Sequence, residues 1–258
     1  GAGATVDLLG NVDATQTTIN GGDDADIFNI LPTDDSPITV NGGLPTFPGP
    51  GDVLNMDFSA ISNPLLTLGA APGSGTFDFP SDTEQSVDYT GIENVNTSTG
   101  AYHLVLNMVT SGFQNGGADV IDASVDNATD TDLLLDINGS NFFTGAVADI
   151  LSFTVLGSSD ADTLNINENA NGVLPFFQVA APASIPGSNG SHLNTSAQTF
   201  LDAEFAGAAP FTVDDITMHF DGGLGSDRVN VNFTTDHNAG YFADTVDGLG
   251  SGNIASAT

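Results

Sequence analysis

The chain contains no lysine, no cysteine and no tryptophan, and Arg228 is its only basic residue apart from four histidines. Phosphate binding needs clustered Lys and Arg, so this composition excludes nucleic acid as a partner and disfavours anionic membrane surfaces. The absence of cysteine excludes disulfides and thiolate metal sites. The absence of Trp and the low number of Tyr, three, count against an aromatic carbohydrate-binding platform. No apolar run approaches the length of a membrane span, so no membrane insertion is expected.

Acidic residues dominate the charge. There are 33 acids against one base, for a net charge of -32, and 29 of the acids are Asp. Asp favours turns and metal corners, whereas Glu favours helices. Hydrophobic residues still make up 40% of the chain, which is enough for a core, so a folded state must offset the self-repulsion. Bound divalent cations would do so, as would a very salty medium; the scarcity of Glu favours the cations.

The patterning predicts an all-β protein. Helix signals are poor, and period-two alternation marks short strands at residues 38–40, 104–108, 133–137, 153–155 and 216–220. We expect one irregular parallel β-solenoid over residues 1–258, whose spacing allows two similar halves, 1–115 and 116–258. A pair of β-sandwich domains is the alternative. Residues 60–82 and 171–210 are expected to be loops or arms on its flank.

An internal repeat organises the chain. In residues 26–30, 52–56, 162–166 and 227–231, an Asp is followed three positions later by an Asn with apolar neighbours. Alternation places the two apolar residues of each copy on one face and the asparagine on the other. The sequence leaves open whether these asparagines stack as an amide ladder or are solvated; they are Asn29, Asn55, Asn165 and Asn230.

Glycine-rich turns precede most copies and carry further acids. Glycine lets backbone carbonyls point into a corner, and calcium takes six to eight oxygens in loose geometry. The repeat Asp shares the strand parity of the core residues, so it can turn inward, where a cation would offset the cost of burying its charge. Calcium is therefore the predicted cofactor, and ordinary β-turns without metal are the alternative. The candidate metal ligands are Asp23, Asp24, Asp26, Asp52, Asp160, Asp162, Asp221 and Asp227.

One copy fits a known nonapeptide. Residues 222–230, GGLGSDRVN, match G-G-x-G-x-D-x-apolar-x at every defined position, and residues 21–29 and 157–165 match it in part. The pattern resembles the repeats-in-toxin (haemolysin-type) calcium-binding family. The resemblance implies a parallel β-roll in which glycine-turn carbonyls and repeat aspartates hold calcium. By that resemblance the ligands are Asp26, Asp162 and Asp227, with Asp23, Asp24 and Asp160 as additional ones.

The spacing of the copies departs from that of the family. The family's copies are tandem, whereas these lie tens of residues apart, so ions are shared only if folding brings distant copies together.

Residues 87–96 are similar to a segment that recurs in long secreted bacterial surface proteins with β-helix character. A simple strand–turn–strand is the alternative for that segment.

No catalytic residue is predicted. The histidines are scattered, and neither Asp34–Asp35 nor Asp214–Asp215 forms a pair that could flank a sugar, because adjacent strand residues point to opposite faces. A β-helix glycoside hydrolase remains an alternative, as does a secreted carbohydrate-binding or adhesive module.

The leading interpretation is an extracellular structural protein. We expect a subunit of a cell-surface filament, sheet or matrix, stabilised by calcium and able to self-associate through open strand edges. Residues 4–9 could serve as an exchanged strand. Glycans are compatible partners, because sequons occur at Asn96, Asn127, Asn138, Asn189, Asn194 and Asn232.

Overall fold

The computed structural model describes residues 3–10, 13–44, 51–109, 112–125, 131–167, 217–221, 227–232, 238–243 and 252–257. These ranges contain β-strands, one turn of 3-10 helix at Val147–Asp149 and no α-helix. The strands are, in chain order, β1 Thr5–Leu8, β2 Thr17–Gly22, β3 Ile27–Ile30, β4 Ile38–Gly43, β5 Val53–Asp57, β6 Leu65–Leu68, β7 Gly75–Asp78, β8 Val87–Thr90, β9 Asn94–Thr99, β10 Tyr102–Asn107, β11 Val120–Val125, β12 Asp132–Ile137, β13 Ser140–Ala146, β14 Ile150–Leu156, β15 Thr163–Asn167, β16 Thr217–Asp221, β17 Arg228–Asn232, β18 Asn238–Ala243 and β19 Gly252–Ala257. The prediction of an all-β protein is confirmed.

The strands form two mixed sheets. The nine-stranded sheet has the order β1-β3-β5-β9-β13-β12-β11-β15-β17, and the ten-stranded sheet has the order β18-β19-β16-β14-β10-β6-β7-β8-β4-β2. Over much of the chain, successive strands alternate between the sheets. Parallel neighbours need a crossover connection, and here a strand of the other sheet supplies it, as in the pairs β3/β5 and β4/β8.

Two antiparallel meanders and the antiparallel pair β18/β19 interrupt this alternation. β6, β7 and β8 lie side by side in the ten-stranded sheet, and β11, β12 and β13 do so in the nine-stranded sheet. At each meander the opposite sheet continues with one parallel pair, β5/β9 or β10/β14. Because one meander falls in each sheet, the two sheets stay similar in width.

Part of one predicted loop is a pair of strands. Residues 60–82 contain β6 and β7, so the expectation of a loop or arm there was wrong. The segment alternates like other strands, and its inward residues Leu66, Leu68 and Phe77 are buried in the core. The high Gly, Pro and Ala content of the flanking turns concealed this. The second predicted arm, residues 171–210, lies outside the described residues.

One hydrophobic cluster includes buried side chains from both sheets. The inward positions predicted for the repeat are fully buried in three copies: Phe28, Ile30, Leu54, Met56, Leu164 and Ile166 are all 0% exposed. Burying a side chain of this size contributes about 1.5–3 kcal/mol. Strands from both sides of residue 115 belong to each sheet.

The first strand pairs within the chain. β1, in the stretch considered for strand exchange, lies parallel to β3, with Thr5 opposite Ile27 and Leu8 opposite Ile30. No helix within the described ranges is long and apolar enough to span a bilayer.

Candidate functional site

The main polar feature of the structure is a row of acidic side chains that crosses the nine-stranded sheet at the side where its parallel strands begin. We call this row, or column, the acid ladder. Each member immediately precedes a parallel strand of that sheet, namely β3, β5, β9, β11, β15 or β17. Five of the six are buried, and Asp227 is half-buried. The members are Asp26, Asp52, Glu93, Asp119, Asp162 and Asp227.

Hydrogen bonds run along this column from strand to strand. The Ala4 amide donates to Asp26 Oδ1 at 2.6 Å, and the Asp26 amide donates to Asp52 Oδ1 at 2.7 Å. The Asp52 amide then donates to Glu93 Oε2 at 2.7 Å. Each carboxylate thus accepts the amide of the corresponding residue in the neighbouring parallel strand.

The second half of the ladder repeats this contact. The Asp162 amide donates to Asp227 Oδ1 at 3.0 Å. At Asp119, where an antiparallel meander adjoins the column, the side-chain amide of Asn138 donates to Oδ1 at 2.7 Å. Asn138 adopts a left-handed conformation with φ 54°, and its own Oδ1 accepts the Val120 amide at 3.0 Å. A side chain here supplies the donor that a backbone amide supplies elsewhere.

The turns supply a second donor to two ladder residues. The Gly22 amide donates to Asp26 Oδ2 at 2.9 Å, and the Ser158 amide donates to Asp162 Oδ2 at 2.6 Å. The Ser158 hydroxyl also contacts Asp162 Oδ1 at 3.3 Å. Hydrogen bonds to an ionised acceptor contribute about 1.5–3 kcal/mol each. The turns are therefore tied to the strands they precede.

Glycines make room for the column. A Cβ on Gly42 would lie 1.9 Å from the Gly91 carbonyl oxygen and 2.5 Å from Asp52 Oδ2. A Cβ on Gly21 would lie 2.5 Å from Asp26 Oδ2, and one on Gly51 would lie 2.2 Å from Glu93 Oε2. The glycines thus permit close approach between backbone and carboxylates.

Burial raises the pKa of the two central acids. Burial raises the pKa of Asp52; the hydrogen bond from the Asp26 amide opposes this rise, and the Asp26 charge adds to it. Burial also raises the pKa of Glu93, with the same opposition from the Asp52 amide and the same addition from the Asp52 charge. The centre of the ladder therefore holds its protons more tightly than ordinary carboxyl groups do.

The predicted metal ligands fall into three groups. Asp26, Asp52, Asp162 and Asp227 belong to the acid ladder. Asp23 is exposed and Asp24 half-buried in the turn before β3, while Asp160 Oδ2 accepts the Gly116 amide at 3.0 Å. Asp221 ends β16, and its side chain lies outside the described part of the structure.

These residues fit a calcium shell only in part. Calcium takes six to eight oxygens, but both oxygens of Asp26 and both of Asp162 already accept hydrogen bonds. Within the described ranges, no group of three or more acids or histidines could hold a metal ion. Asp52 Oδ2 and Asp119 Oδ2 are buried without a hydrogen-bond partner, so they are the ladder atoms that a cation would satisfy.

A second column, the amide ladder, runs through the third residue of the same strands. Asn29 donates to Asp7 at 2.6 Å and Asn55 donates to Asn29 at 2.8 Å. Farther along, Asn165 donates to Asp122 at 2.9 Å and Asn230 donates to Asn165 at 2.7 Å. Of the two arrangements that the sequence left open, the structure has the stacked one.

Two members of the acid ladder, Glu93 and Asp119, were not among the predicted site residues, although residues 115–119 can be read from the sequence as a shortened copy of the glycine turn. Both occur in a looser form of the repeat, Glu93-Asn94-Val95-Asn96 and Asp119-Val120-Ile121-Asp122. Allowing Glu in place of Asp, and Asp in place of Asn, would have identified them. Glu93 follows a short turn, and its longer side chain still reaches the Asp52 amide.

The remaining polar candidates are dispersed. His103 Nδ1 lies 2.7 Å from Ser152 Oγ, and burial lowers the pKa of this histidine. Asp34 and Asp35 are exposed in the turn before β4. His192, His237, Asp214 and Asp215 lie outside the described residues. Tyr89 and Tyr102 are buried in the core and form no surface platform.

No protein-family model matches the chain, and no curated protein or solved structure matches it. The full nonapeptide copy has its turn, residues 222–226, outside the described ranges. The fold and the ladders define an all-β protein with two mixed sheets and stacked polar columns.

Proposed function

We propose that the chain is a structural module of an extracellular or cell-surface filament, sheet or matrix. The acid ladder is the observation that carries this proposal. Its carboxylates bind the backbone of neighbouring strands and turns, and do not converge on a cleft. Buried charged groups used in this way hold a stack of strands together, which suits a protein whose role is mechanical.

We also propose that the two sheets form a short, irregular parallel β-solenoid. Support comes from the alternation of successive strands between the sheets and from the acid and amide ladders, which join equivalent positions of parallel strands. Two β-sandwich domains, the alternative, would consist mainly of antiparallel neighbours. Among the described strands, antiparallel pairing is confined to the two meanders and to the contacts of β19.

Calcium is the proposed stabilising ion. The net charge of -32 favours a bound cation, and the unpartnered Asp52 Oδ2 and Asp119 Oδ2 atoms would accept one. Three strands separate β5 from β11 in the nine-stranded sheet, so Asp52 and Asp119 would each contact a separate ion, and these ions would supply positive charge that the chain lacks. The resemblance to calcium-binding repeats gives further support.

The extracellular location and the glycans belong to the same proposal. An acidic chain without cysteine and with six sequons suits a surface exposed to solvent and sugars. The alternative of a carbohydrate-binding module receives less support, because the large exposed hydrophobic residues in the described ranges are all aliphatic. A glycoside hydrolase would need two carboxylates facing one groove, whereas the acid-ladder carboxylates accept hydrogen bonds from neighbouring strands and turns.

The test compares calcium, magnesium and a chelator at matched ionic strength. Circular dichroism gives the melting temperature, and sedimentation velocity gives the particle size. We expect calcium to raise both, with magnesium less effective because it demands stricter geometry. If the particle size stays that of one chain in every condition, the proposal of an assembling module is wrong. If only the melting temperature is insensitive to calcium, the metal part alone is wrong.

A further inference from the structure

The amide ladder begins with an aspartate at the edge of the nine-stranded sheet. β1 is the first strand of that sheet, and its third residue is Asp7, which accepts the Asn29 side-chain amide. The third residue of β3 is Asn29, whose side chain both donates to Asp7 and accepts from Asn55. Ionised Asp7 can only accept, so it ends the chain of donors and acceptors on that side.

An aspartate stands in place of the ladder asparagine in a second strand as well. β11 is the first strand of the parallel run β11-β15-β17, and its third residue is Asp122. Asp122 accepts the amides of Asn165 at 2.9 Å and Asn167 at 3.1 Å. Its neighbour on the other side is the antiparallel strand β12, which does not continue the ladder. In the nine-stranded sheet, an aspartate therefore marks the first strand of each parallel run.

The acid ladder stops at the same edge. Ala4 occupies in β1 the position that Asp26 occupies in β3, and its amide donates to Asp26. An acid at position 4 would accept the amide of a strand placed before β1. With alanine there, the amide of such a strand would face a methyl group and lose its partner, which opposes its addition.

We infer that the outer edge of β1 is closed to a further strand of this repeat from a second copy of the chain. Such a strand would find no donor at Asp7 for its asparagine oxygen and no carboxylate at Ala4 for its backbone amide. Open edges with apolar inward residues invite addition, and Val6 and Leu8 are only partly buried. The missing donor at position 7 and the missing carboxylate at position 4 therefore provide the block.

The block is confined to the nine-stranded sheet. In the ten-stranded sheet the edge strand β2 carries Asn20, whose side-chain oxygen accepts the Asn41 amide at 2.7 Å. Unlike an ionised aspartate, Asn20 also has a side-chain NH2 group that can donate to a further strand. A solenoid turn would have to join both sheets at this end, so closure of β1 is sufficient. If copies assemble as in the proposed function, on which this inference does not depend, they use another surface.

The test reopens the edge without changing the net charge. The variant Ala4→Asp/Asp7→Asn restores both ladder positions, and both residues are exposed, so the fold tolerates the change. Sedimentation equilibrium over a concentration series should show self-association of the double variant about tenfold tighter than that of the wild type, equivalent to about 1.4 kcal/mol. An unchanged association constant would overturn the inference.

A second readout reports on the edge directly. The chain has no cysteine, so Thr5→Cys places one thiol on the exposed side of β1. When Thr5→Cys is the only change, we expect a bulky maleimide to label the thiol at the same rate at low and high protein concentration. When Thr5→Cys is added to the double variant, labelling should slow as the protein concentration rises and the copies associate. Protection in concentrated wild-type background would show that a second copy already covers β1 and would contradict the inference. Wild-type protein that never associates would count against the proposed function alone.

Discussion

The backbone amide of Asp26 donates a hydrogen bond of 2.7 Å to the carboxylate of Asp52, although the two residues lie 26 positions apart in the chain. The Asp26 carboxylate in turn accepts the amide of Ala4. One residue thus donates to the next strand and accepts from the previous one. This arrangement fixes the register of three parallel strands at the point where each of them begins.

Removing a doubly bonded ladder carboxylate should destabilise the fold. Asp162→Ala leaves the buried amide and hydroxyl of Ser158 without their acceptor, and an unsatisfied buried donor costs about 1–3 kcal/mol. Urea unfolding measures the loss. The control is Asp23→Ala, which removes an exposed acid and should change the unfolding free energy by less than about 0.5 kcal/mol. Equal effects of the two variants would show that the ladder contributes no stability.

Two neighbouring positions test the space beside the column. Gly42→Ala places a methyl group against the Gly91 carbonyl and the Asp52 carboxylate, whereas Gly22→Ala meets nothing within 4 Å. We expect Gly42→Ala to lower the unfolding free energy by about 1–3 kcal/mol and Gly22→Ala to leave it nearly unchanged. Thermal unfolding of the pair is the measurement. A tolerated Gly42→Ala would mean that the carboxylate does not occupy this corner.

The central acids should make stability depend on pH. Because burial raises the pKa of Asp52 and Glu93, the folded state binds their protons more tightly than the unfolded state does. Their stabilising contribution is complete at low pH and is lost as the pH rises through the raised pKa. In calcium-free buffer, the unfolding free energy should therefore fall as the pH rises above the ordinary carboxyl pKa of about 4.

Asp52→Asn should reduce that fall. Asp35→Asn is the matched control, because it removes one exposed carboxylate in a turn and leaves the ladder intact. Urea unfolding across the pH series gives the slopes. Identical slopes for the two variants would rule out a special contribution from Asp52.

The amide ladder predicts a penalty for an acid in its interior. Asn165→Asp replaces the donor that binds Asp122 with a carboxylate, so two like charges meet on a partly buried face. We expect a loss of about 1–2 kcal/mol at neutral pH and recovery at acidic pH, where one carboxyl takes up a proton. Equilibrium unfolding at both pH values provides the check. A loss that persists in acid would point to packing and not to charge.

Local patterns in the sequence predicted local structure well. The alternation in 26–30 and 162–166 correctly placed Phe28 and Leu164 inside and Asn29 and Asn165 on the other face. Inward burial of Asp26 was also predictable, since it shares the parity of Phe28. These features depend only on the two-residue period of a strand, which can be read from adjacent residues.

Partners across the sheets were not predictable. That Asp26 binds the amides of Ala4 and Gly22 depends on which strands become neighbours, and long-range pairing leaves no mark within one short segment. Glu93 escaped notice because its side chain is one methylene longer than the repeat requires. β6 and β7 were missed because Gly and Pro in their turns resemble loop composition, while the buried Leu66 and Phe77 determine the structure.

The most direct test follows the Asp26 amide by nuclear magnetic resonance during a pH titration. If the Asp52 carboxylate accepts this amide, the Asp26 amide proton shift will move together with the Asp52 carboxyl carbon shift, and Asp52→Asn will abolish the movement. The amide should also exchange slowly with solvent. An Asp26 amide that exchanges rapidly and ignores the ionisation of Asp52 would contradict the acid ladder as the element that ties the strands together.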